Sequence, residues 1–186
     1  LGMLHVEIIS ERLKREFGLN LIISTPSVEY EIKLKSRNES IKIRSASQLP
    51  DPSFIESISE PITDLEIITP SGYLGSVMEL MSNYRNRYVR TDYYGKETAS
   101  LKYEVPLSEV ITDFYDKLKS ISSGYASLNY ELLDFRAGDL VKLDILVATE
   151  IVDALSMIVH REIAVNEGRE LVSNLKKLIP RQQFEI

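Results

Sequence analysis

Cysteine is absent from the 186-residue chain, which excludes a disulfide framework, a zinc ribbon and thiol catalysis together. Histidine is nearly absent: only His5 and His160 occur, far apart. A catalytic zinc site draws on two or three imidazoles, so a metal enzyme lacks ligands. No apolar run approaches the ~20 residues of a membrane-spanning helix. No basic stretch followed by an apolar one opens the chain, as a secretion signal would. The sequence has no G-x-x-x-x-G-K-[ST] loop and no G-x-G-x-x-G, so the backbone cradle that phosphoryl transfer needs is missing. No Ser/His/Asp set is suggested by spacing. Positive charge is also short, at a net −6, whereas a dedicated nucleic-acid binder is usually basic. Residues 1–60 carry 8 basic and 9 acidic side chains, residues 61–135 carry 7 and 11, and residues 136–186 carry 7 and 8. Any contact with RNA must therefore use a local basic face.

What is present is an alternation of strand and helix patterns. Hydrophobic residues make up 44% and charged residues 27%, enough apolar content for a core without staples. Leu4, Ile8, Leu13 and Phe17 repeat at near-helical spacing up to Gly18, a helix stop. His5 lies on or beside that apolar face as a structural histidine. Leu21–Ser24 reads as a short strand. Val28, Tyr30, Ile32 and Leu34 alternate with charged residues, and Ile41 and Ile43 follow a turn at residues 36–40, which predicts a hairpin. Pro50 and Pro52 break the pattern, placing a domain boundary between Pro50 and Pro61.

From Ile62 the order is strand (62–69), helix (Leu74, Val77, Met78, Met81), strand (88–94), strand (Ala99, Leu101, Tyr103, Val105), helix and strand. The second helix is predicted as one run from Leu107 through Phe114 and Leu118 to Ile121, with Ser108 as N-cap and Gly124 beyond its end. The last strand alternates through Ala126, Leu128, Tyr130 and Leu132. The sum is βαββαβ, a ferredoxin-like plan in which two helices cover one face of a four-stranded antiparallel sheet. A strand pair over 141–147 and 151–159 comes next, joined by Ala148-Thr149, a poor tight turn. A helix with its apolar stripe from Ile163 to Ile179 then ends at Pro180, and a strand signal spans Gln183–Ile186. The first helix has no strand before it and the last strand no turn after it, so both ends read as cuts. The fold class is α+β.

Chemistry is concentrated in two basic segments. Arg85-Asn86-Arg87-Tyr88-Val89-Arg90 joins a helix to a strand, and guanidiniums with an interleaved ring suit phosphate and unpaired base. Against this, Tyr88 can pack inward with the arginines solvated. His160-Arg161 stands at a helix start, where unpaired N–H groups favour an anion; alternatively Arg161 pairs with Glu162 or Glu167. Arg169, Lys176 and Lys177 lie off the apolar stripe, and Arg181 follows the helix. Asp113 and Asp116 at i, i+3 read as a solvated face beside Lys117. Tyr73, between Gly72 and Gly75, reads as a core-edge residue.

Several stretches resemble one family. Leu1-Gly2-Met3-Leu4-His5-Val6-Glu7, Thr25-Pro26-Ser27, Leu49-Pro50-Asp51-Pro52, Tyr73-Leu74-Gly75 and Gly124-Tyr125-Ala126-Ser127 carry part of the likeness. The rest lies in Val152-Asp153-Ala154-Leu155-Ser156, His160-Arg161, Gly168-Arg169-Glu170-Leu171-Val172 and Leu178-Ile179-Pro180-Arg181-Gln182-Gln183-Phe184-Glu185. In order and spacing the chain resembles the C-terminal part of the LepA type of translational GTPase (elongation factor 4). The resemblance implies the second half of a third domain (1–60), a ferredoxin-like domain of the elongation factor G domain V type (61–136) and a LepA-specific C-terminal domain (137–186) cut before its basic tail. It implies a parent that binds GTP and Mg in a missing N-terminal domain and hydrolyses GTP, while this portion holds neither cofactor nor metal. It further implies a ribosome partner near the factor-binding site, sarcin–ricin loop and stalk base, and tRNA. The implied activity is one-codon back-translocation. The implied location is the cytoplasm, with peripheral association to the inner face of the membrane. On this basis Arg161, Arg169, Lys176, Lys177 and Arg181, with His160, are assigned to tRNA, and Arg85, Arg87 and Arg90 to rRNA.

The sequence departs from the family pattern at three places. Arg85-Asn86-Arg87-Tyr88 stands where the family has Arg-Gly-x-Gln. Ala148-Thr149 replaces an Asn-Gly turn, which argues against a two-residue type I′ hairpin. Ser123 replaces an arginine. The rival reading is a free-standing ferredoxin-like regulatory module that binds a small ligand. The apolar stripe from Leu4 to Phe17 is expected to pack on a neighbour, a second copy included.

Overall fold

The computed structural model describes residues 3–19, 21, 27–35 and 40–178. Residues 22–24 of the expected strand at 21–24, residues 36–39 of the expected turn at 36–40, the expected helix end at Ile179 and Pro180, Arg181 and the terminal strand at 183–186 lie outside the described residues, as does the side chain of His5.

Helix α1 (Met3–Phe17) ends as its sequence requires. Gly18 takes φ +67, and the N–H groups of Gly18 and Leu19 return to the carbonyls of Lys14 and Leu13 at 3.0 and 3.5 Å, a glycine-closed C-terminus. Ile8, Ile9 and Phe17 on this helix are exposed.

Strands β1 (Tyr30–Leu34) and β2 (Ser40–Ile43) form the expected hairpin. The next strand differs from expectation. β3 spans Ile55–Pro70, starting well before Ile62 and passing through Pro61. On one side it pairs with β6 (Ser127–Gly138) over Ile58–Ile68. On the other it pairs first with β1 over Ile55–Ser59, then with β5 (Thr98–Pro106) over Ile62–Pro70. Pro61 therefore falls where one partner ends and the next begins, a place where a missing N–H interrupts no ladder on that side. Strand β4 (Arg87–Tyr94) closes the far edge on β5. The order β6-β3-β5-β4 is the ferredoxin-like sheet, and β1 and β2 extend the same sheet.

Two cores result. Leu65, Ile67, Leu101, Tyr103 and Val105 on the sheet meet Val77 and Met81 of α2 (Leu74–Met81) and Phe114 and Leu118 of α4 (Phe114–Ile121). Tyr30, Ile32, Ile43, Ile58 and Leu140 form the second, with Leu107 and Ile111 packed against it. These two cores explain why the predicted helix from Leu107 to Ile121 is broken. α3 covers only Leu107–Val110, and α4 restarts at Phe114. The break lets Leu107 and Ile111 serve one core and Phe114 and Leu118 the other. Ile111, Thr112 and Asp113 are weak helix formers that permit it. Ser108 caps nothing; no side chain bonds to the start of α3.

Strand β6 also runs longer than expected, and its inward alternation fails. Ile62 pairs with Asp134 and Thr63 with Leu132, so Leu133 is the extra residue of a β-bulge. Tyr130, Leu132 and Leu133 are exposed.

The C-terminal unit is a nested pair of short ladders, not one long hairpin. β7 (Leu140–Leu143) pairs with β10 (Met157–His160), and β8 (Leu146–Val147) pairs with β9 (Glu150–Ile151). Ala148 and Thr149 take φ +50 and +70. This is the two-residue turn of the type I′ class that the sequence argued against. Cross-strand pairing on both sides, extended by Val152 N–H to Ile145 carbonyl at 3.0 Å, imposes positive φ on residues that resist it, at about 1–2 kcal/mol each. Helix α5 (Arg161–Leu178) follows β10 directly, at the expected handover from His160 to Arg161. Burial pushes the Tyr30 phenol up to about 12, and its hydroxyl donates to the Ile158 carbonyl at 3.4 Å, tying the C-terminal unit to the second core. Among the described residues no helix is long and apolar enough to cross a membrane.

Candidate nucleic-acid interface

The two basic segments have different fates in the fold. Arg85 stands between α2 and β4, where its guanidinium meets two carboxylates. Its Nη1 and Nη2 donate to Glu60 Oε1 and Oε2 at 2.6 and 2.9 Å, and its Nε donates to Glu109 Oε1 at 2.7 Å. Nη2 also lies 3.3 Å from the Ser108 hydroxyl. The Glu60 side chain is only 6% exposed and that of Arg85 24%. Desolvation opposes the guanidinium charge, but the bonds to Glu60 and then Glu109 outweigh it and hold the pKa above its ordinary value. This cation clamps β3, the α2–β4 connection and α3 together. Sequence reasoning placed it on RNA and missed its partners. Glu60 stands among Glu56, Asp64 and Glu66, so nothing in the sequence singled it out.

Arg87 and Arg90 reach solvent. Arg87 Nη2 lies 2.6 Å from Glu104 with its side chain 72% exposed, and Arg90 Nε lies 2.7 Å from Asp92. Glu104 also receives Arg136, and these bonds, that of Arg136 first, hold its carboxyl below the usual range. Tyr88 is half solvent-exposed; its ring sits edge-on to Tyr103 at 5.5 Å and its hydroxyl bonds Thr91. Tyr73 is half-buried and stacks on exposed Tyr125 at 6.1 Å, a pairing with no sequence signal because the two belong to distant segments.

The second segment surrounds α5. Arg161 begins the helix and pairs with neither Glu162 nor Glu167. Its Nε donates to both oxygens of Asp139, at 2.9 and 3.0 Å, and its backbone N–H to the Asp139 carbonyl at 2.8 Å. Asp139 thus anchors the helix start from the end of β6. His160 is mostly buried, and its Nδ1 has no hydrogen-bond partner among the described residues. Arg169, Lys176 and Lys177 are exposed, with no ion-pair partner among the described residues. Val165, Arg169, Val172 and Lys176 follow one another at i+4, i+3 and i+4, so they share one face of α5, and that face borders a groove against Leu143 and Ile145. Glu167 and Glu170 face the other way, toward α2 and α4. Arg169 and Lys176 thus border one groove and Glu167 and Glu170 the other, while all four remain exposed to solvent. Asp113, read as a solvated acid, pairs with Lys117 at 2.7 Å. Among the described residues no group of three or more His, Cys, Asp or Glu could hold a metal.

Comparison with known proteins bears on this geometry. A family model described as "Elongation factor G C-terminus" matches residues 57–146, and one described as "GTP-binding protein LepA C-terminus" matches residues 147–186. Over its whole length the chain is 52% identical to Elongation factor 4 of Sulfurimonas denitrificans and 53% identical to that of Campylobacter jejuni. The chain belongs to the LepA (elongation factor 4) family. Identity to the Lactococcus lactis relative is 47%, again across the full chain. The chain spans about a third of the length of these curated relatives, 31%, 31% and 30% in turn. The elongation factor G match begins inside β3 and takes in all of the ferredoxin-like sheet; the LepA match carries α5 and its basic face.

Proposed function

We propose that the chain is the non-catalytic, RNA-facing part of a translational GTPase, and that α5 is its principal RNA contact. One observation carries this: Arg169, Lys176 and Lys177 are exposed cations without intramolecular ion-pair partners among the described residues, and Arg169 and Lys176 border one groove of α5. A cation already paired in the fold gains less from a phosphate than one that is not. Arg85 is therefore removed from the RNA-binding set. Arg87, Arg90 and Arg161 remain in it, because exposed ion pairs are worth at most about 1 kcal/mol and can be exchanged for phosphate. His160 and Arg181 stay as assigned from the resemblance.

In this reading the parent binds GTP and Mg in its own N-terminal domain and hydrolyses GTP. This portion binds the ribosome near the factor-binding site and reaches tRNA, in support of one-codon back-translocation. The parent works in the cytoplasm, with peripheral contact to the inner membrane face. The mechanism here is positioning: a shared six-stranded sheet gives a stiff body, and α5 projects basic side chains from it. Counterions released from RNA supply the affinity. The test is co-sedimentation of the chain with 70S ribosomes beside an Arg169→Glu/Lys176→Glu/Lys177→Glu variant. Loss of binding in the variant is the expected result, and equal binding by both proteins overturns the assignment.

A further inference from the structure

Three irregularities of this fold fall along one line. On β3 the buried side chains are Ile58, Glu60 and Ile62 before the line, and Thr63, Leu65 and Ile67 after it. Alternate residues of a strand point to opposite faces, so the covered face of the sheet changes over at Pro61 and Ile62. Pro61 is also where β1 gives way to β5 as the neighbour of β3. On β6 the bulge at Leu133 lies opposite Ile62 and Thr63. The break between α3 and α4 at residues 111–113 sends Leu107 and Ile111 to one core and Phe114 and Leu118 to the other.

Each side of the line has its own core, and the C-terminal unit belongs with the second. Leu140 of β7 and Ile158 of β10 join the core of Tyr30, Ile32 and Ile43. The Tyr30 hydroxyl donates to the Ile158 carbonyl, and the turn Asp153–Leu155 touches the turn Ala46–Gln48. Toward α2 and α4 the same unit faces an open cleft of about 700 Å³. Among the described residues no hydrogen bond or ion pair joins its two walls. Two ionic ties do cross the line. Arg85, from the α2–β4 connection, holds Glu60 and Glu109. Arg136, beyond the bulge, holds Glu104 of β5.

We infer that this line is a joint between two bodies, with Arg85 as its latch. The hairpin β1–β2, the C-terminal unit and α5 form one body; β4, β5, α2 and α4 form the other. Latched, the sheet is the stiff body that positioning requires. Released, it bends where a bulge and a proline already interrupt regular pairing, and α5 swings together with the hairpin as one rigid piece. The placement of the basic helix is thus governed by the β1–β2 side of the molecule and by one buried guanidinium, not by the helices across the cleft.

The experiment measures distances between spin labels in the whole chain, which has no cysteine of its own. Asp116→Cys/Asn174→Cys spans the joint, Ala137→Cys/Asn174→Cys lies within the α5 body, and Lys96→Cys/Asp116→Cys lies within the other; all four positions are exposed. The expected result is three narrow distributions in the latched chain. With Arg85→Gln the spanning pair is expected to become about twice as wide or more, while both internal pairs stay narrow. Arg136→Gln removes a tie whose arginine is 41% exposed, and is expected to widen the spanning pair in the same way but less. It reads the joint where the loss of Arg85 costs too much stability, a case the Lys96/Asp116 pair reveals by widening too. A spanning pair unchanged in both variants overturns the inference. So does an Ala137/Asn174 pair that widens while Lys96/Asp116 stays narrow, because α5 then moves without the hairpin. None of these outcomes depends on ribosome binding, so the two readings fail separately.

Discussion

Arg85→Ala is expected to destabilise the chain far more than any other arginine change on its surface. The substitution leaves Glu60, only 6% exposed, without its bidentate partner, and Glu109, 17% exposed, without its own. Breaking a buried pair by removing one member costs about 3–5 kcal/mol, because the remaining charge stays desolvated. Arg85 keeps a quarter of its surface in solvent, which favours the lower end. For a chain of this size each kcal/mol moves Tm by about 2–4 °C, so the loss is about 6–20 °C. Thermal unfolding followed by circular dichroism measures it, with Arg87→Ala and Arg90→Ala as exposed controls expected within about 2 °C. A paired variant separates charge from packing. Glu60→Leu with Arg85→Met removes both ends of the pair and should recover more than half of the loss, since an apolar pair of similar volume is often neutral. If Arg85→Ala unfolds within about 2 °C of the parent, the clamp is not structural, and Arg85 returns to the RNA-binding set.

Other outcomes follow from the same geometry. Ala148→Asn with Thr149→Gly relieves two strained positive-φ residues and should raise stability by about 1–2 kcal/mol in urea unfolding; no gain would mean that the turn relaxes at little cost. Gly168→Ala should stabilise by about 0.5–1 kcal/mol, since helix propensity favours alanine. A Cβ there meets only Leu143 methyls, at 3.4 and 3.6 Å, and a loss would show that α5 cannot yield. The Ser156 hydroxyl and then Lys142 hold the Asp144 carboxyl below its ordinary 3.8. Asp144 therefore contributes stability that is complete above that value and is lost as pH falls through its lower folded value. Ser156→Ala should flatten the acid limb of a stability–pH curve, and an unchanged limb would show that this bond contributes nothing.

Much of the fold was legible because its periods are local. The alternation Ala99–Val105, the stripe of α2 and the glycine stop at Gly18 depend on neighbours in sequence, and the structure keeps them. The misreadings occur where distant segments decide. Nothing near Leu107 announces that it faces a different core from Phe114, so a split helix reads as one. Pro61 looks like a break ahead of a strand that begins at Ile62, because the exchange of β1 for β5 along β3 is visible only once the sheet is assembled. Ala148-Thr149 is unsuited to its turn by local chemistry and is held there by strand pairing. The basic face of α5 was legible in part: Arg169, Lys176 and Lys177 could be seen to leave the apolar stripe. Which arginines were already spent on carboxylates could not be seen, because Glu60, Glu109 and Asp139 lie 22 to 25 residues from Arg85 and Arg161 in sequence.

The absence of cysteine allows the central claim to be tested directly. A single cysteine placed at Val172, exposed between Arg169 and Lys176 in the basic groove, carries a tethered iron probe that cleaves nearby RNA. A second variant carries the probe at Glu170, on the inward face. On ribosomes filled with tRNA, strong cleavage of tRNA from position 172 and weak or no cleavage from position 170 is the expected result. Equal cleavage from both positions, or none from 172 while the chain remains ribosome-bound, would contradict the claim that the basic face of α5 lies against RNA.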